Sequence, residues 1–246
     1  MRVGLVRQCA ARWGRCVRWF ELVFDVCFAC KLGRGVIVKK IFSAIAAIAA
    51  FALLFATELR ADELANCYDY LLAEDYDSAN AACTAAAEQG DEHAQLELGW
   101  MYASGRGVAQ DDAEAVRWFR AAAEQGDELA QYNLGLMYVY GRGVAQDYAE
   151  AVRWYRAAAE QGFERGQLEL GWMYQQGRGV AQDYAEAVRW YRAAAEQGDE
   201  RAQYNLGLIY ENGRLVAQDY AEAMRWFRAA AEQGFDRAQT KLGRMY

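Results

Sequence analysis

A 36-residue unit runs four times in succession through this chain, over residues 91–126, 127–162, 163–198 and 199–234. Repetition this regular constrains the fold more than any single residue does. Each unit must bury its apolar face against its neighbours, so the units stack, and a stack presents an extended surface in place of one enclosed pocket.

Within a unit the apolar residues keep a helical period. Ala130, Leu134, Met137 and Tyr138 mark a first helix, and Ala151, Trp154, Tyr155, Ala158 and Ala159 follow the i, i+3, i+4, i+7, i+8 pattern of a second. Between them, Gly141-Arg142-Gly143-Val144-Ala145-Gln146 supplies glycines able to close the first helix, and Asp147 stands where it can cap the second. Gly162 ends the second helix. Gly135 lies inside the first helix, at a cost of about 1 kcal/mol relative to Ala, which predicts close approach of a facing helix with Ala158 and Ala159 as its partners. Glu150, Arg153 and Arg156 recur in all four units at spacings that suit solvent-facing ion pairs.

The combination Ala-x-x-x-Leu-Gly-x-x-Tyr, Gly-x-Gly-Val, Asp-Tyr-x-x-Ala, Trp-Tyr-x-x-Ala-Ala and a final Gly resembles the Sel-one-like repeat family, a relative of the tetratricopeptide repeat. The resemblance spans 91–234 in full and 62–90 in degenerate form, with 235–246 as a capping half-repeat. It implies an all-α superhelical solenoid of stacked antiparallel hairpins that mediates protein–protein interaction, without a cofactor. Two features depart from the family. The chain has no proline, where the family often carries one at the positions of Ala109, Ala145, Ala181 and Ala217, and Leu215 replaces the second loop glycine of the last unit, which bears on the loop from Gly213 to Val216.

Composition shifts near residue 61. Residues 1–61 hold 10 basic against 3 acidic residues, and residues 62–246 hold 17 against 31, a net charge of −14. Such a field repels phosphate and anionic lipid, so nucleic acid is not an expected partner and a membrane is expected only through the N-terminal segment. Lys39 and Lys40 followed by the apolar run 41–56 read as an export signal spanning 39–61, with cleavage after Ala61 and a periplasmic or secreted product. The alternative is an uncleaved inner-membrane anchor through 41–56. Residues 1–38 precede that signal in an unusual place. They are read as a leader added by a misassigned start, with translation beginning at Val36 or Val38, or as a cytoplasmic tail.

Cys9, Cys16, Cys27 and Cys30 fall in that leader, where Cys27 and Cys30 form a lone CxxC with no second half. Cys67 and Cys83 lie beyond the cleavage point. The first hairpin lacks the glycine loop, so its turn is expected near Ala73 to Asp75, which puts these two cysteines at matched heights on antiparallel helices. Export then favours a disulfide over two free thiols.

Positions that vary between units are the candidates for recognition. On the first helices they form a stripe of Leu96 and Trp100, then Tyr132, Leu136 and Tyr140, then Leu168 and Trp172, then Tyr204 and Leu208, beside Glu97, Asn133, Glu169 and Asn205. If first helices line the concave side, aromatic and apolar anchors next to carboxamides suit a peptide or helix. The alternative is that the stripe only packs adjacent first helices together. Chemistry has little to work with: His93 has no repeated equivalent, Ser78 and Ser104 lack a nucleophile elbow or a Lys three residues on, and no residue set suggests catalysis or a metal. The reading is a non-enzymatic exported scaffold. The alternative is a β-lactamase or penicillin-binding hydrolase, an activity linked to some disulfide-rich relatives that carry a cysteine pair in each unit, which this chain does not.

Overall fold

A computed structural model describes residues 66–213 and 216–245, and the described residues form helices and no strand. Helix α1 covers 66–72, followed by α2 (Tyr76–Glu88), α3 (Glu92–Ser104), α4 (Asp112–Gln125), α5 (Glu128–Tyr140) and α6 (Tyr148–Glu160). Then come α7 (Glu164–Gln176), α8 (Tyr184–Gln197), α9 (Glu200–Asn212), α10 (Tyr220–Glu232) and α11 (Asp236–Met245). Each helix packs on the one before and the one after it, so the chain is a stack of hairpins. The export signal, residues 1–38, and Arg214 and Leu215 lie outside the described residues. No helix among those described is long and apolar enough to cross a membrane.

Capping follows from the loop residues. In the second unit Asp147 accepts hydrogen bonds from the backbone N–H groups of Ala149 at 2.9 Å and Glu150 at 3.1 Å, satisfying donors that the helix start leaves unpaired. Gly141 closes α5 with φ 66°, a left-handed conformation that costs glycine little. Gly143 meets a second constraint. A Cβ there would lie 2.0 Å from the carbonyl oxygen of Asp112 in the preceding unit, so the second loop glycine is where consecutive units touch backbone to backbone.

The core is continuous along the stack. One cluster gathers Leu96 from α3, Phe119 from α4, Leu134 and Met137 from α5, and Trp154 from α6, so every apolar layer draws on two successive hairpins. Gly135 does admit a close neighbour, but that neighbour is the ring of Tyr155, 2.5 Å from where a Cβ would sit, and not Ala158 or Ala159 as expected. The same contact recurs between Gly99 and Phe119, Gly171 and Tyr191, and Gly207 and Phe227. The small residues at 158 and 159 instead receive Gly166 of the next unit, whose Cβ would fall 2.9 Å from Ala158 Cβ.

Two polar ladders join the units. Gln131 donates to the carbonyl of Ala123 at 3.2 Å and accepts from Gln161 at 2.9 Å, and Gln95, Gln167 and Gln203 repeat this arrangement. These glutamines are buried, and the pairing satisfies amides that would otherwise cost about 1–3 kcal/mol each. The second ladder corrects the sequence reading. Arg153 does pair with Glu150 at 3.0 Å and also lies over the Trp154 ring at 4.5 Å, but Arg156 donates to the hydroxyl of Tyr174 in the next unit at 2.7 Å. Arg120 does the same to Tyr138 at 2.8 Å, and Arg192 bonds Tyr210. The invariance of this arginine reflects stacking of units.

In the N-terminal hairpin the turn covers residues 73–74, with Glu74 at φ 57°. Cys67 and Cys83 form a disulfide there, with Cα atoms 4.8 Å apart and both side chains buried.

Candidate binding groove

First helices α5, α7 and α9 place variable positions along one open groove of about 800 Å³, which Phe235 and Arg237 also line. From the predicted stripe it takes Leu136, Tyr140, Leu168, Trp172 and Tyr204, together with Glu169 and Asn205. Tyr140 is 69% exposed, Trp172 and Tyr204 are half-buried, and Leu168 is buried beneath them. Leu208 faces a separate recess of about 300 Å³ that shares Asn205 with the groove.

Other stripe residues fall elsewhere. Leu96 is buried in the core cluster, and Trp100, 43% exposed, stands edge-on to Phe119 at 5.7 Å away from the groove. Tyr132 is wedged between Tyr155 at 5.9 Å and Phe163 at 5.5 Å. Asn133 is buried, its amide donates to the Leu129 carbonyl of its own helix at 2.8 Å, and it does not line the groove. Where a helix start needs a cap, α7 has Phe163 in place of Asp and makes no side-chain cap bond. That residue instead packs its ring on Tyr132, and Phe235, which does line the groove, packs in the same way on Tyr204 at 5.4 Å.

Two polar groups in the groove are poorly satisfied. Burial pushes the Glu169 carboxyl above the usual carboxylate range; the Arg201 guanidinium opposes this and Asp199 reinforces it. The hydroxyl of Tyr155, a fully buried residue that lines the groove, has no hydrogen-bond partner among the described residues. One unit further on, the equivalent Tyr191 hydroxyl donates to Gln175 at 2.7 Å, and the residue at the place of Gln175 in the Tyr155 unit is Val139. Burial, followed by the charge of Glu169, raises the Tyr155 hydroxyl far above its ordinary value, so it stays protonated and able to donate.

The sequence matches the Sel1 repeat family over residues 92–127, 129–163, 165–199 and 200–235, which is more than half of the chain. This chain belongs to the Sel1 repeat family. Among solved structures it is similar to c5321, a protective antigen present in uropathogenic Escherichia coli strains and displaying an SLR fold, with 40% identity and a TM-score of 0.74. The similarity covers 77% of this chain and 42% of that one, so this chain spans less than half of the antigen's length. A Sel1 repeat protein from Oxalobacter formigenes is 37% identical, with a TM-score of 0.71 over 75% of this chain and 74% of its own. No curated protein matches.

Sel1 repeats form scaffolds that bind protein partners, and the groove adds residues that sequence reading passed over. Arg178 lies over the rings of Tyr148 at 5.3 Å and Trp172 at 5.0 Å, and Arg201 and Arg237 line the groove with it. Arg165, Arg201 and Arg237 sit 36 residues apart, in the third and fourth units and the capping half-repeat, where the first two units have His93 and Leu129. That spacing was the available signal. What hid it was the acidic balance of the whole region, which says nothing about where the minority charge collects. Among the described residues no group of three or more His, Cys, Asp or Glu could hold a metal.

Proposed function

We propose that this Sel1 repeat protein is an exported, non-enzymatic scaffold that holds a segment of a partner protein in the groove across α5, α7 and α9. The observation that carries this reading is the groove itself. Its volume lies in the range of preformed ligand sites, about 300–1,000 Å³, and its walls combine aromatic anchors with a few polar groups, as recognition surfaces for peptides do. A segment lying on Trp172 and Tyr204 would exclude water from Asn205 and from the partly exposed rings around it. Anchors from three successive units would be engaged together, which a single unit does not provide.

Photo-crosslinking tests the site. A photoreactive residue replacing Tyr140 in the groove is compared with one replacing Tyr220 on α10, two positions that are 69% and 57% exposed. Discrete adducts formed in the periplasm from position 140 and not from 220 support the groove. Equal adducts from both, or adducts only from 220, overturn it. Export rests on residues 39–61, and an intact mass beginning at Asp62 in the periplasmic or secreted fraction is the expected result.

A further inference from the structure

The groove differs in charge from the domain that contains it. Residues 62–246 carry a net charge of −14. Yet the groove and the recess that continues it over α11 are lined by five basic side chains, Arg178, Arg201, Arg237, Lys241 and Arg244, against two acidic ones, Glu169 and Asp236. One register position of the first helices contributes: Glu97, Asn133, Glu169 and Asn205 alternate through the units, and Lys241 takes the same place on α11.

Not all of this positive charge is spent internally. Arg201 lies 3.6 Å from Asp199, and Lys241 pairs with Glu211 at 2.7 Å. Arg237 and Arg244 are exposed and take part in no ion pair among the described residues, and Arg178 is held by ring faces, which leave its charge uncompensated. A basic strip inside an acidic domain selects among protein segments. The surrounding field repels polyanions as large as nucleic acid, while a short chain carrying one or two carboxylates can reach the strip without meeting the acidic faces.

Resting on the groove reading above, we propose that the occupant is an acidic segment of a partner protein. Its Asp or Glu side chains face Arg237 and Arg244, and an apolar side chain packs on Trp172 and Tyr204. The carboxylates bind guanidinium groups as charge-assisted pairs, and the apolar anchor supplies the desolvated centre that such pairs alone lack.

Selection of a random twelve-residue peptide display library on residues 62–246 tests this, with two variants run in parallel: Arg237→Glu/Arg244→Glu, which reverses the strip, and Trp172→Ala/Tyr204→Ala, which removes the anchors. Circular dichroism establishes that each variant is folded. The expected result is enrichment of peptides with Asp or Glu beside an aromatic or Leu residue. Their binding should fall about tenfold or more in the charge-reversed variant and weaken with salt. Enrichment of neutral or basic peptides that still needs Trp172 and Tyr204 overturns the acidic occupant and leaves the groove reading standing. Acidic peptides indifferent to charge reversal also overturn it. Absence of any enrichment dependent on Trp172 and Tyr204 overturns both readings.

Discussion

In the four regular units a second-helix ring presses on a first-helix glycine, whereas in the N-terminal hairpin the corresponding position is Cys83, bonded to Cys67. Phe119, Tyr155, Tyr191 and Phe227 are all buried, as Cys83 is, and each lies a multiple of 36 residues from it. The two devices solve one problem differently. A ring on a glycine depends on neighbours on both sides to hold it in place, which interior units have. Among the described residues the first hairpin follows no other unit, and a covalent bond holds its two helices in register.

The most severe way to break this comparison is to remove a ring. Tyr155→Ala should destabilise the repeat domain by about 3–5 kcal/mol, and Gly135→Ala, which puts a methyl group into the Tyr155 ring, by about 1–3 kcal/mol. Combining the two should cost less than the sum of the single changes, since the methyl group then has room. Thermal and denaturant unfolding of the three variants measures this, and full additivity would show that glycine and ring are not coupled.

Reduction tests the other device. Cys67→Ser/Cys83→Ser should lower stability by about 3 kcal/mol, the chain-entropy value for a loop of this size. The loss should be confined to the first hairpin: hydrogen exchange is expected to quicken in α1 and α2 and to stay unchanged in α7 to α10. Quickening throughout would mean that the edge governs the stack.

The glutamine ladder sharpens the contrast between interior and edge. Gln131 is 5% exposed and bonded on both sides, while Gln239 on α11 is exposed and donates to the Ala231 carbonyl at 3.2 Å. Gln131→Ala should therefore cost about 1–3 kcal/mol and Gln239→Ala well under 1 kcal/mol, because only the first strands a buried partner. Equal losses in denaturant midpoint would contradict this account.

The smallest effect concerns pH. The folded state raises the Glu169 carboxyl, so its contribution to stability is fully present below the unfolded value near 4.3 and is lost as pH rises through the folded one. Glu169→Gln should raise the melting temperature at neutral pH by a few degrees or less and flatten the decline on the acidic side of neutrality. An amide suits this position, since Asn133 and Asn205 occupy it in neighbouring units. A variant with an unchanged pH profile would place the carboxylate in water.

Much of the fold was legible in the sequence because the repeat reports the same physics four times. The helix pairs, the aspartate caps and the glycine closures follow from local backbone preference, and the family follows from their joint spacing. The candidate groove was legible only in part. The stripe named residues by helical face, and Leu136, Tyr140, Leu168, Trp172 and Tyr204 do line one surface. Asn133 and Leu96 share the face and are nevertheless buried, because the degree of burial depends on how far the next hairpin overlaps the previous one. The spacing predicts a close contact at Gly135 but not that Tyr155 makes it, since helical spacing shows which residues share a face and not which facing side chain meets them.

What the sequence determined by itself is the architecture: a repeat that buries its apolar face only by stacking permits no other arrangement, and its polarity and cysteine placement follow from composition. Tertiary structure alone decided which atoms of different units meet. The Arg156 bond to Tyr174, the Tyr155 hydroxyl left without a partner among the described residues, and the collection of Arg178, Arg201 and Arg237 along one groove depend on the offset between consecutive hairpins. That offset is set by packing of side chains across the whole interface, and no single unit carries it in its own spacing.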